Sequence, residues 1–280
     1  MLARYMIVAD LHCHSTASDG QLSPEALVER AEQANVELFA ITDHDTLAGY
    51  LDVAEHYNGP MQLISGIELS SQCLGISMHI VGLNVNVNDV LFQQRLAEQL
   101  NSRKERALQI AQKLEKLGLK GVVNFVSDND ERPVSRPDIA HYLVETNQVP
   151  SIKRAFDRYL GAGKPGDVKQ FWPELDKIVG WIKDAGGVAI IAHPESYSIT
   201  RTKLRRIIEV FVEAGGDALE LPHEAQTADF TRYVAKLCKD YNLQVSVGSD
   251  FHSDKQPWRQ LGRVPAIPEG VSPVWEGFVQ

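Results

Sequence analysis

The chain has 280 residues, 44% of them hydrophobic and 23% charged, a composition suited to one large globular domain or two smaller ones. Its formal charge of −9 argues against a protein that lives wrapped on nucleic acid, although bound cations can reverse the local field for an acidic substrate. The widely spaced Cys13, Cys73 and Cys238 suggest neither a disulfide framework nor a zinc knuckle, and with no signal-peptide layout after Met1 and no apolar run near the roughly 18 residues of a membrane helix, a cytoplasmic protein is expected.

The apolar run Tyr5–Leu11 reads as a buried strand, and His12 and His14 follow it two positions apart. Along a strand that spacing puts both imidazoles on one side, which suits a metal and packs a core badly. A hydrogen-bonded surface pair is the alternative. Ser23 then caps a helix with Pro24 at its first position, running to Ala34. A strand Leu38–Thr42, a helix near Ala48–His56 and strands Met61–Glu68 and His79–Asn84 come next. Residues 89–173 differ: a long helical pattern from Leu91 to Leu117 ends at Gly118, and Pro133, Pro137, Pro150 and Pro165 punctuate the remainder. This stretch reads as a mainly helical insertion or cap. Helices Leu175–Ala185, Lys203–Ala214 and Ala228–Tyr241 then alternate with strands Val188–Ala192, Ala218–Leu221 and Val245–Ser249. The tail from Pro257 carries four prolines and reads as irregular chain.

Repeated strand–helix units with near-continuous apolar strands imply a parallel sheet covered by helices. About seven strands, from residues 1–88 and 174–280, suggest a closed or nearly closed barrel of the TIM type. An open doubly wound sheet is the alternative, without the glycine-rich fingerprint that would support it. In such a barrel the chemistry sits at the C-terminal strand ends. His12, His14 and Asp19 follow the first strand, His44 the second, and Glu68 ends the third. His79 opens the next strand, His193 ends another, and Asp250 and His252 follow the last with the spacing of the opening pair. Singly, each has a bland explanation; together they predict a metal cluster. Mixed imidazole and carboxylate donors suit manganese, iron or zinc rather than magnesium or calcium.

The segments Asp10-Leu11-His12-Cys13-His14-Ser15, Thr42-Asp43-His44-Asp45, Gly66-Ile67-Glu68, Ala192-His193-Pro194 and Ser249-Asp250-Phe251-His252 resemble the ordered motifs of the polymerase-and-histidinol-phosphatase (PHP) family. The resemblance implies an α/β fold, a distorted (β/α)7 TIM-like barrel with a helical insertion, holding two or three divalent metals. It assigns His12, His14 and Asp250 to one ion, His79 and His193 to a second with Glu68 bridging, and Asp19, His44 and His252 to a third. Manganese is the expected metal, with iron or zinc as alternatives. Glu68, Asp250 and His252 are the expected catalytic groups. Asp10, Asp43 and Asp45 are expected to orient ligands from behind. His56 and His141 read as surface residues, and His223 as a residue facing the site.

The insertion, the stretch Leu160-Gly161-Ala162-Gly163-Lys164-Pro165 and the ending from Leu261-Gly262-Arg263 to Trp275 are similar to a subgroup of 5′→3′ exoribonucleases and 3′,5′-nucleoside bisphosphate phosphatases. The implied activity is hydrolysis of nucleotide phosphate esters by a metal-activated hydroxide. The expected substrate is a small 3′,5′-bisphosphate or a 5′-phosphorylated RNA, with no membrane and no obligate protein partner. Arg136 and Lys164 are candidate phosphate contacts; two ordinary surface charges are the alternative. The subgroup's histidine two places after that arginine is replaced here by Asp138, an acid that would repel phosphate unless it orients Arg136. The basic stretch 101–121, with Arg103, Lys104, Arg106, Lys113, Lys116 and Lys120 against Glu105 and Glu115, reads first as a solvated helix face and second as a guide for RNA. A histidinol-phosphate-type phosphatase, a metal amidohydrolase cleaving a C–N bond and a non-catalytic metal-stabilised module are the competing readings.

Overall fold

The structure is a computed structural model that describes residues 7–129, 132–168, 172–223 and 228–278. The chain divides into two compact units, one formed by Met1–Gln93 with Trp172–Gln280 and the other by Gln94–Phe171.

In the first unit, β1 (Ala9–Asp10), β2 (Leu38–Phe39) and β3 (Gln62–Leu63) pair in parallel. Tyr5 and Met6 of the expected first strand lie outside the described residues. Between β1 and β2, α1 (Pro24–Gln33) starts where Ser23 accepts a hydrogen bond from the Ala26 N–H, with Pro24 in the first turn. Its apolar face of Leu27, Val28 and Ala31 packs with Phe39, Ile41 and Phe251, the i, i+1, i+4 spacing of a core-facing helix. The helix α2 (Ala48–Ala54) follows β2.

A second sheet runs β4 (Gly66–Cys73), β5 (Ile76–Leu83), β6 (Val188–Ile191), β7 (Ala218–Glu220) and β8 (Gln244–Ser246). The β6, β7 and β8 strands are parallel, but β4–β5 and β5–β6 are antiparallel, so the sheet is mixed where an all-parallel one was expected. The reversal occurs at Leu74-Gly75, both at positive φ (49° and 75°), as a tight hairpin turn demands. The hairpin also relocates boundaries. The expected strand Met61–Glu68 is two strands, β3 and β4, and His79 lies inside β5 instead of opening it.

Among the described residues no closed sheet forms, and the closed or nearly closed barrel that was expected is instead a three-stranded and a five-stranded sheet. The two sheets meet through single parallel bridges, Cys13 with Phe251 and His44 with Glu68. Hydrogen bonds from Leu11 N–H to Val247 O and from Asp250 N–H to His12 O reinforce the first junction. Gly248 makes this approach possible: a Cβ there would lie 2.2 Å from the His12 Cβ. The helices α7 (Leu175–Asp184), α8 (Arg201–Glu213) and α9 (Ala228–Tyr241), numbered after those of the second unit, connect β5 through β8 and bury one apolar face each. The tail is irregular, with a bridge from Val245 to Pro273 and a short turn at Val274–Gly277.

The second unit is helical: most of α3 (Val90–Lys116), then α4 (Val122–Ser127), α5 (Arg136–Glu145) and α6 (Ile152–Ala155) with a wider turn at Phe156–Leu160. Its own core joins Ala107, Ile110, Ala111 and Leu114 of α3 to Val122, Val126, Ile139, Ala140 and Leu143. Gly118 ends α3 at φ 89°, the left-handed exit that glycine takes without a steric cost.

Candidate metal centre

Turns after β1, β2, β6 and β8, with Glu68 inside β4 and His79 inside β5, bring polar side chains together at one place in the first unit. Nine side chains, His12, His14, Asp19, His44, Glu68, His79, His193, Asp250 and His252, form four overlapping groups whose candidate donor atoms lie within 4.8 Å of one another in each group. All nine were expected from the sequence. The fully buried Glu68 is the hub. Its Oε1 lies 3.4 Å from His12 Nε2, 3.1 Å from His79 Nδ1 and 3.0 Å from His193 Nε2. Its Oε2 lies 2.8 Å from His44 Nδ1 and 3.3 Å from His14 Nε2. One carboxylate therefore turns each oxygen to a different set of imidazoles. Asp250 Oδ1 sits 3.7 Å from His12 Nε2 and 3.4 Å from His14 Nε2, and Asp19 Oδ1 faces His14, His44 and His252 at 3.4–3.9 Å.

The donor set fits divalent cations. Among the described residues, the buried Asp19 Oδ1 and His193 Nδ1 make no hydrogen bond, Glu68 Oε2 and His44 Nδ1 face each other at 2.8 Å without forming one, and buried polar atoms left unpaired cost roughly 1–3 kcal/mol each. His12 and His14 bring their Nε2 atoms within 3.2 Å, a spacing at which a proton or a cation has to lie between two nitrogen lone pairs.

The fields in the cluster sort the imidazoles. Burial alone would depress His12, but the carboxylates of Glu220 and Glu68 outweigh it and raise its pKa to about 10. Burial lowers His79 to about 4, aided by His44 and His193 against the pull of Glu68. Burial also lowers His14 well below the usual range, with His252 and His44 adding to the effect. Against the opposing effect of burial, the imidazoles around Glu68 and Asp19 hold both carboxyls well below their ordinary values.

The three aspartates expected behind the ligands act mostly on the backbone. Asp10 accepts the N–H groups of Ser249 and Gly262 at 2.8 and 2.9 Å, which fixes the turn carrying Asp250. Asp43 accepts from Ser15 N–H, Ser15 Oγ and Ser18 Oγ at 2.5–2.8 Å, and Ser18 Oγ lies 3.4 Å from His14 Nδ1. Asp45 accepts the Ser70 N–H at 2.7 Å.

A carboxylate outside the nine that touches a cluster imidazole is Glu220, which sequence reasoning missed. Its carboxylate lies 3.0–3.1 Å from His12 Nδ1 and accepts the His193 N–H at 2.7 Å. An acid ending β7 was the available signal, but Leu219-Glu220-Leu221 reads as ordinary strand alternation. Arg259 was missed too. Its guanidinium contacts the Asp250 carboxylate, donates to the Asp250 carbonyl at 3.2 Å and feels Glu220, Glu195 and Glu68. Tyr197 completes the wall, accepting from His79 N–H at 3.0 Å and donating to Ala192 O at 2.9 Å. His223 lies within the fields of Arg259 and Glu220.

Arg136 and Lys164 both belong to the second unit. Arg136 opens α5 and donates to Leu160 O at 3.3 Å. Burial lowers its pKa, with Arg103 adding to the effect. Burial likewise lowers Arg106 to about 10, aided by Arg136 and Arg103. The basic stretch thus separates into half-buried arginines that share a field and exposed Lys104, Lys113, Lys116 and Lys120. Lys164 is exposed. Asp138 caps α5 with Ser135 and binds Arg132 in bidentate fashion at 2.7 and 2.9 Å, so its described partners are a helix end and Arg132.

The scaffold and the cluster define a class: an α/β protein with a largely buried His/Asp/Glu cluster that could bind divalent cations. The PHP domain matches residues 10–222, and the chain belongs to the PHP family. It is a hydrolase of that family. A 5′-3′ exoribonuclease of Haemophilus influenzae is 41% identical over 96% of this chain and 98% of that protein. A 3′,5′-nucleoside bisphosphate phosphatase of Chromobacterium violaceum is 34% identical over 95% of this chain and 94% of that protein. A solved structure from Chromobacterium violaceum, described as an amidohydrolase with bound sulfate, has a TM-score of 0.86 at 33% identity, covering 96% and 95% of the two chains. Among the described residues no helix is long and apolar enough to cross a membrane.

Proposed function

We propose that this chain hydrolyses nucleotide phosphate esters, removing nucleotides from the 5′ end of 5′-phosphorylated RNA, cleaving 3′,5′-nucleoside bisphosphates, or both. The observation that carries the reading is Glu68, a buried carboxylate with each oxygen facing separate imidazoles. His12, His14, Asp250 and Glu68 would hold one ion, His79 and His193 with Glu68 a second, and Asp19, His44 and His252 a third. Manganese is the proposed metal, with iron or zinc as alternatives. Such ions supply Lewis acidity: they lower the pKa of a bound water and neutralise charge on phosphoryl oxygens.

The chain's own residues then have defined work. Glu220 holds the His12 Nδ1 side, leaving Nε2 directed at the cluster, as a carboxylate behind a ligand histidine does. Ser18 links Asp43 to His14. Arg259, placed on Asp250, balances part of the negative charge beside the phosphate position. Arg136, with Arg103 and Arg106 in its field, is proposed to grip a substrate phosphate, for which guanidinium is well shaped. Lys164 would add a point charge. The bridges between the two sheets support reading them as an opened form of the distorted seven-stranded barrel.

A Mn²⁺-supplemented time course on a short 5′-phosphorylated RNA, resolved at single-nucleotide length, tests the proposal. Stepwise release of mononucleotides from the 5′ end is expected, and phosphate release from adenosine 3′,5′-bisphosphate completes the assay. Inactivity on both overturns it. A second reading, cleavage of a C–N bond, is favoured by the likeness to the structure described as an amidohydrolase. Turnover of amides without phosphate release would select it.

A further inference from the structure

Among the described residues, Trp258 is the one aromatic of the exposed large hydrophobic side chains, at 47% exposure, whereas Trp172, Trp181 and Trp275 are buried. It lies in the loop that follows the cluster residue His252, and the next residue, Arg259, turns inward to the Asp250 carboxylate. The loop is pinned. Arg30 of α1 binds Asp254 at 2.5 Å and Gln260 at 3.0 Å, and Gln256 and Arg259 close successive turns onto Ser253 O and Gln256 O. Pro257 fixes the backbone just before the indole.

We propose that Trp258 is a nucleobase-stacking platform and sets the preference of the site for nucleotides over simple phosphate esters. This rests on the nucleotide reading above. An indole left in water costs free energy that a core position would have saved, and a rigid loop lowers the entropy of presenting it to a ligand. Consecutive Cα atoms are 3.8 Å apart, so one short segment sends a cation to the cluster and a flat apolar ring outward. A nucleotide has the matching parts, a phosphate and a base joined by one sugar. Stacking on an aromatic ring tolerates every base, as a degradative enzyme requires.

The test measures calorimetric affinity of the Mn²⁺-loaded protein for adenosine 5′-monophosphate and for ribose 5-phosphate, in the native chain, Trp258→Ala and Trp258→Phe. The expected result is a loss on the order of tenfold for the nucleotide in Trp258→Ala, little change for ribose 5-phosphate, and substantial recovery in Trp258→Phe. Equal losses on both ligands, no loss on either, or a native chain that does not prefer the nucleotide would overturn the platform. Turnover is read separately. Absence of hydrolysis with a Trp258-dependent nucleotide preference removes the proposed activity and leaves the platform standing.

Discussion

Glu68 could serve two ion positions because the surrounding imidazoles hold it ionised in a site that would otherwise raise its pKa. Glu220 does for His12 what no aspartate in the motifs does: it occupies Nδ1 at 3.0 Å. Substituting Glu220→Ala should therefore weaken metal binding by about 10–100-fold while leaving the protein folded; unchanged affinity in a Mn²⁺ titration would rule out the orienting role. His12 also sets a pH dependence. Its pKa of about 10 means that the ring carries a proton near neutrality, and a ligand nitrogen must lose it. Apparent metal affinity should rise as pH increases from about 6 to 8, with proton release on binding. His79, at about 4, is already neutral there and adds little to the slope. Calorimetry in buffers of different ionisation enthalpy reads the released proton directly, and identical heats in all buffers would contradict the assignment.

The elements that deliver these side chains are short, and their junctions depend on close backbone approach. At Gly248 an added methyl would sit 2.2 Å from the His12 Cβ, against backbone that cannot move without disturbing the cluster. Gly248→Ala should cost about 1–3 kcal/mol, measured by denaturant unfolding; a native midpoint would refute the packing argument. In α5, Asp138 supplies the capping box and an ion pair to Arg132. Asp138→Ala should thus lose about 1 kcal/mol of stability, and tighter phosphate binding without any stability loss would show that its charge matters more than its cap. The helices were legible in the sequence: α1 from Ser23-Pro24, the long α3 and its stop at Gly118, and α9 over 228–241. The β4–β5 hairpin was not, because Leu74 adopts the left-handed backbone without being glycine or asparagine and the flanking strands are apolar enough to read as parallel ones. Seven of the nine candidate ligands follow strands in sequence order and were visible that way, whereas Glu68 and His79, read at strand boundaries, lie inside β4 and β5. Glu220 and Arg259 were not visible, because their roles come from contacts across more than two hundred residues in one case and from a turn within the tail in the other.

At the scale of the whole molecule, an overall charge of −9 coexists with a proposed anionic substrate because the cations are concentrated. Arg103, Arg106 and Arg136 share one field in the helical unit, and the proposed ions would supply the rest in the α/β unit. Ions that bind the folded cluster and not the unfolded chain stabilise by mass action, about 2.7 kcal/mol at a hundredfold excess over Kd. Chelation should lower the melting temperature by several degrees, and a scan insensitive to chelator would mean that the cluster holds no ion of consequence. The most direct test of the central claim is equilibrium dialysis of the metal-stripped chain against Mn²⁺, with bound ions counted per chain by mass spectrometry, in the native protein and in Glu68→Gln. The account predicts more than one ion per native chain and a clear loss in the variant; a native chain that binds none, or a variant that binds as many as the native, would contradict it.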